Sequence, residues 1–223
     1  MDFYIGMRFN SQVDYQLTEG FDVLSTRVFP GPSMGFGVYF PVGSGKNNST
    51  DIMLNLGYGS FKTRSTIDLN AQIFDLANDI QYKTRGSVSI FEPSMRLVFC
   101  PNIQKNLNRD LELILGVGIQ YGDITQEREV LRSLPNQEQV ISVMQFTSFS
   151  QTSTIRTADV QLGVGYRWTL EGNRYVSLRL ERAFSRSEDI ERNFELLSFN
   201  QSSKGQEIFN KSNWTMKLSY LLF

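Results

Sequence analysis

Side chains along a β-strand point to alternate faces, and between residues 111 and 121 this chain keeps that two-residue period almost without interruption. Leu111, Leu113, Leu115, Val117, Ile119 and Tyr121 fall on one face, and Glu112, Gly116, Gly118 and Gln120 on the other, with Ile114 the one departure. A tilted strand needs roughly 9–11 residues to cross a bilayer, and this run has that length. Seven more segments carry the same alternation: 3–10, 34–41, 52–61, 88–100, 158–168, 175–184 and 213–223. The pattern predicts an all-β, porin-like fold, an eight-stranded antiparallel up-and-down transmembrane β-barrel with a polar and glycine interior, an apolar exterior and long extracellular loops. Residues 1–223 are expected to form that single domain.

The connections support this reading because long and short ones alternate. Stretches 11–33, 62–86, 124–157 and 185–212 are long, whereas GSGKNNST, PNIQKNLNR and LEGN are short and rich in turn residues. Up-and-down outer-membrane barrels have short periplasmic turns, long outer loops and both termini on the periplasmic side. An even number of strands closes the sheet without an edge.

Composition narrows the chemistry. The 223 residues carry a formal net charge of −1, which suggests no polyanionic partner, and no nucleic-acid module appears. Histidine is absent, so a Ser–His–Asp arrangement is impossible and the commonest metal ligand is missing. Cys100, the one cysteine, forms no internal disulfide and reads as a small apolar filler. No cofactor or metal is expected. No window approaches 18 consecutive apolar residues, so no transmembrane helix is expected, and strand-like sequence from Asp2 or Phe3 suggests a mature or trimmed form. GSGKNNST lacks the strand–loop–helix context of a phosphate loop, and the sequons NST, NQS, NKS and NWT carry no weight in a bacterial outer membrane.

Lipocalin-like soluble barrels also alternate, but with the apolar face inward. The second face here combines glycines with Arg8, Glu92, Arg96, Glu112, Asp159, Arg167, Arg179, Glu181 and Lys217. Glycines are costly on exposed strands, but inside a narrow lumen they make room for long charged side chains. The nearly balanced signs fit enclosed, paired charges. The polar face is therefore expected inside, as a barrel-interior charge network that plugs the lumen. Phe3, Tyr58, Phe99, Tyr121, Tyr166, Trp168, Trp214 and Tyr220 sit near strand ends on the apolar face, where interfacial aromatic girdles belong.

The segments FYIGMRFN, GPSMGFGVYFPVG, SIFEPSMRLVF, LELILGVGIQYG, VQLGVGYRWTL and WTMKLSYLLF resemble the small outer-membrane barrels of Bacteroidota described as PorT-like or outer-membrane β-barrel domain proteins. The resemblance spans the strands and leaves out the long loops. It implies a multi-pass β-barrel in the bacterial cell outer membrane, surrounded by lipid and lipopolysaccharide and delivered by the outer-membrane insertion machinery. In that family a terminal aromatic resembles the assembly signal; Phe223 matches it. Tyr220 stands three residues before the end rather than two, and strict alternation puts Phe223 on the polar face.

The long connections are rich in apolar residues. Leu69, Ile73, Leu76 and Ile80 have helical spacing, and Phe74, Phe146, Phe149, Phe194, Phe199 and Phe209 are candidates for partner-binding loops. Alternatively, the loops fold on one another or the strands extend above the membrane as a tall barrel. The leading function is a non-enzymatic outer-membrane protein serving as a subunit or accessory of a larger protein complex of secretion or assembly type. A free-standing barrel for adhesion or ligand capture and a small passive channel are the alternatives. An enzyme would have to use carboxylates such as Glu92 and Glu112, which are expected to pair with Arg96 and Arg167 instead.

Overall fold

The computed structural model describes all residues except 11–12, 21–23, 46–47, 71, 73–79, 102–108, 126–129, 133–142, 151–154, 171–173, 186–189, 198–201, 210–211 and 222–223. Its strands are β1 (Asp2–Asn10), β2 (Val13–Glu19), β3 (Leu24–Phe29), β4 (Gly31–Gly45), β5 (Asn48–Leu69), β6 (Ile80–Pro101) and β7 (Arg109–Thr125). The second half of the chain adds β8 (Val130–Arg132), β9 (Val143–Ser150), β10 (Ile155–Thr169), β11 (Tyr175–Ser185), β12 (Ile190–Leu197), β13 (Ser202–Phe209) and β14 (Asn213–Leu221). Eight of these close on themselves, in the order β5-β4-β1-β14-β11-β10-β7-β6 and back to β5, with antiparallel neighbours throughout.

The register fixes the shape. A row of paired residues runs from Gly59 through Ser33, Gly6, Lys217, Arg179, Gly165 and Glu112. Continued by one residue past the Phe99–Leu113 pair, it passes Cys100 and re-enters β5 at Ser49, ten residues below its start at Gly59. A stagger of ten over eight strands tilts them by about 40° and leaves a bore just wide enough for side chains. At that tilt Leu111 to Tyr121 spans about 33 Å along the strand and about 25 Å along the barrel axis, the height of an apolar transmembrane band.

Burial sorts the two faces as the alternation predicts. Leu115, Val117 and Val164 are more than half exposed on the outside, while Arg96, Glu112 and Arg179 inside are at most 1% exposed. Turned the other way, this chain would place five arginines or lysines and five carboxylates on its surface and its leucines in the bore. The observed arrangement is that of a transmembrane barrel. The outer aromatics fall at two levels. Near the short turns, Trp168, Val176, Tyr220 and Phe3 are consecutive partners in one row, with Tyr166 edge-on to Trp168 at 4.9 Å and Phe99 paired with Leu113. Toward the long connections, Tyr58, Phe91 and Tyr121 form a second row, and Trp214 lies beside Phe9.

Three expectations need revision. First, the strands outrun the apolar segments: β5 and β6 each have 22 residues where ten and thirteen were expected. Much of the long connections is strand. β2, β13, β12, β9 and β8 form a second sheet in the order of the barrel strands they continue, and β3 extends β4 past Pro30 to pair with upper β5. Backbone polar groups leaving the membrane are satisfied most simply by prolonging the existing ladder. Second, the helical spacing across 69–80 does not describe its ends: Leu69 closes β5 and Ile80 opens β6, paired to each other, while Ile73 and Leu76 lie outside the described residues. Third, Ile114 is not misplaced. It packs in the bore with Met53, Val98 and Cys100, against Tyr39, as an apolar stopper at the short-turn end. Phe61, Ile67, Val88 and Ile90 are likewise buried inward toward the long-connection end.

Candidate functional site: the luminal charge clusters

All nine charged residues assigned to the interior are buried in the bore, and the structure gathers them into two clusters. Near the short turns Glu112 is the hub. Its Oε1 accepts from Arg167 Nε at 2.7 Å and from Arg179 Nη2 at 3.1 Å, and its Oε2 accepts from Arg179 Nε at 2.6 Å. Arg179 also donates to Asp2 Oδ2 at 2.9 Å and to the Tyr39 hydroxyl at 2.6 Å, and Tyr39 donates in turn to Asp2 at 2.9 Å. The Arg167 guanidinium lies over the Tyr175 ring, 4.1 Å from its centroid, which shields its apolar faces.

Higher in the bore Arg96 is the hub. It contacts Glu92 at 3.2 Å and Glu181 at 3.1 Å and donates to Gln161 Oε1 at 2.7 Å. Arg8 holds the other oxygen of Glu92 at 2.8 Å, and Lys217 holds Glu181 at 2.6 Å while sitting 4.6 Å from the Tyr4 ring centroid. Among the described residues Asp159 makes no ion pair. Gln161 and Gln120 donate to its Oδ2 at 2.9 and 3.2 Å. With all groups ionised, each cluster is neutral: Arg8, Arg96 and Lys217 balance Glu92, Glu181 and Asp159, and Arg167 and Arg179 balance Glu112 and Asp2. Neutrality inside a low-dielectric bore is what makes burying ten charges tolerable.

Glu92 and Glu112 are not an acid–base pair. Phe91, next to Glu92, pairs with Tyr121, nine residues along β7 from Glu112, which is about 20 Å along the axis. Each carboxylate is fixed by two arginines and shut off from solvent, so neither is poised to exchange a proton with a substrate. Among the described residues no group of three or more His, Cys, Asp and Glu is placed to hold a metal ion.

Sequence reasoning left Asp2 and Tyr39 out of the interior set, and it put Gln120 on the polar face without a part in the charge network, as it did Gln161. All four lie on the inward face by parity, which is a signal available in the alternation. Of the candidate loop residues, Phe146 and Phe149 lie on β9, Phe194 on β12 and Phe209 on β13; Phe74 and Phe199, like Phe223, fall outside the described residues.

The inward glycines are spaces for neighbours. A Cβ on Gly57 would lie 2.5 Å from the Tyr4 hydroxyl and 3.5 Å from its next neighbours, so one atom obstructs it. Gly57→Ala will therefore destabilise the barrel by about 1–3 kcal/mol, the usual cost of overpacking. Adding Tyr4→Phe, which deletes that oxygen, will restore most of the loss in urea unfolding, and an unrelieved loss would refute the assignment.

The chain matches no family model and no curated protein. Among solved structures it is similar to the outer membrane protein OprG from Pseudomonas aeruginosa, at 10% identity and a TM-score of 0.45, covering 98% of this chain and 94% of that one. It is also similar to the transport unit of the autotransporter AIDA-I from Escherichia coli, at 8% identity and a TM-score of 0.27, covering 98% and 88%. Both likenesses are distant, and the fold is established by the strand register itself.

Proposed function

We propose that this chain is a bacterial outer-membrane protein that acts without catalysis, as a subunit or accessory of a larger outer-membrane complex of secretion or assembly type. The observation that carries this reading is the contrast between a filled bore and a tall rim. Two charge clusters and the apolar stopper around Ile114 occupy the lumen, which argues against conduction. Above the upper aromatic row the strands continue as two separate sheets, one of five strands and one made of β3, β5 and β6. Their outer edges, on β2 and β8 and on β3 and upper β6, are unpaired among the described residues, and unpaired strand edges accept strands from other chains. In this reading the short turns and both strand termini face the periplasm, the rim faces outward, and lipid and lipopolysaccharide surround the apolar belt. The strands' resemblance to Bacteroidota barrels points to a host of that kind.

The test is extraction from the native outer membrane in mild detergent, followed by native mass spectrometry. The wild-type chain is expected in a stoichiometric complex. A variant in which the β12–β13 hairpin is replaced by a short turn is expected as a lone barrel with unchanged heat-modifiable mobility. A wild-type chain that runs as a lone barrel overturns the proposal.

A further inference from the structure

On the sheet that rises from β3, β5 and β6, the outward face is cationic. Arg27, Lys62, Arg64, Lys83 and Arg85 are all exposed, while the alternate residues Thr63, Ser65 and Ile67 are buried. The register makes the arrangement specific: Arg27 pairs with Arg64, and Arg64 pairs with Arg85, so three arginines stand side by side across three strands. Like charges directly opposite each other weaken a sheet, and Arg64 has one on each side. None of the five has an acidic partner among the described residues, and the nearest carboxylate on that face, Asp68, accepts from Gln81 at 2.7 Å.

Protection of exposed edges accounts for cations on β3 and on upper β6, each hydrogen-bonded there on one side only. It does not account for Arg64 and Lys62, because β5 is paired on both sides. The face also has shape. A groove of about 500 Å³ runs between Phe29, Lys62, Arg64 and Arg85, and the Arg64 guanidinium lies 5.3 Å from the Phe29 ring centroid. Aligned guanidiniums are suited to phosphate oxygens, which they bind in bidentate pairs.

Height identifies the source of phosphate. Lys62 and Arg64 lie four and six residues beyond Tyr58 of the upper aromatic row, about 10 and 15 Å along the axis. Long basic side chains reach back toward the interface, so their charges fall at the level of lipid headgroups. We propose that the row Arg27–Arg64–Arg85, with Lys62 and Lys83, binds the phosphate groups of glycolipid headgroups in the outer leaflet. The site rests on the outer-membrane reading above, since only in that orientation does this face meet a phosphorylated glycolipid.

The test uses the full chain in phosphatidylcholine nanodiscs with and without lipid A, with lipid retained after detergent extraction counted by native mass spectrometry. Wild type is expected to retain lipid A. The variant carrying Arg27→Gln, Lys62→Gln, Arg64→Gln, Lys83→Gln and Arg85→Gln is expected to lose roughly tenfold or more of that affinity while keeping its heat-modifiable mobility. Equal retention by both overturns the site, as does displacement of lipid A by inorganic phosphate alone, which would make the row a free-anion site. Failure of the wild type to insert into phosphatidylcholine discs would instead refute the membrane reading.

Discussion

Glu112→Ala will destabilise the barrel by about 3–5 kcal/mol, the cost of leaving a buried charge without its partner. Glu112 is fully buried and provides the carboxylate for Arg167 and one of two for Arg179. Its removal takes away the one ion-pair partner of Arg167 among the described residues, leaves its guanidinium over the Tyr175 ring, and gives the short-turn cluster a net positive charge. The measurement is urea unfolding in lipid vesicles, followed by the fluorescence of Trp168 and Trp214, the only two tryptophans. Glu112→Gln keeps the volume and an acceptor and should lose less. Glu112→Leu combined with Arg167→Met removes both charges and should recover most of the stability, because apolar side chains of similar size often replace a buried ion pair without loss. If the single substitution costs under about 1 kcal/mol, the cluster is not the buried, dry network described above.

Leu115→Arg is the second large effect, about 2–4 kcal/mol. Leu115 is 53% exposed, points outward, and lies between the two aromatic levels on a strand whose inward neighbours are Ile114 and Gly116. A charge placed there meets hydrocarbon and no counter-ion, and the penalty for Arg is greatest at the bilayer midplane and falls to about 0–1 kcal/mol near the interfaces. Leu111→Arg, at the short-turn end of the same face, should therefore cost much less. If this face met water, both substitutions would fall within about 0.5 kcal/mol of wild type. The depth dependence thus tests membrane residence separately from barrel closure.

The membrane-crossing part of the fold was legible because a two-residue period survives every local irregularity. Leu111 to Tyr121 has the alternation of a strand with one polar and one apolar side. Membership of the interior was legible for the same reason. Partner choice was only partly so. Arg96 stands four residues from Glu92 on its own strand, a pairing open to inspection, but its contact with Glu181 crosses 85 positions and depends on the stagger between strands. Asp2 was read as the start of a strand rather than as a ligand of Arg179, since nothing in its neighbours marks a residue 177 positions away. The apolar stoppers were hidden by the premise that inward means polar: Ile114 broke the pattern because it sits where the bore is sealed by packing. The rim strands were legible only as the alternative of a tall barrel, because, clear of lipid, neither face of the ladder has to be uniformly apolar, and the period fades although the hydrogen bonding continues.

The contact between Asp2, Arg179 and Tyr39 also bears on how the molecule is made. Asp2 is the first residue of β1, Tyr39 comes from β4 on one side of the β1–β14 seam, and Arg179 comes from β11 on the other. Arg8 on β1 reaches Glu92 on β6 across the bore rather than along the wall. A sheet still open at the seam cannot bring Arg179 to Asp2 and Tyr39, so that part of the short-turn cluster stays unmatched until the first and last strands join. Joining them is also the most non-local pairing in the chain, and by its topology the slowest to find. Only the cylinder closed in this register completes the Asp2–Arg179–Tyr39 contact, and a mis-staggered one would have to hold those ions unpaired in its core.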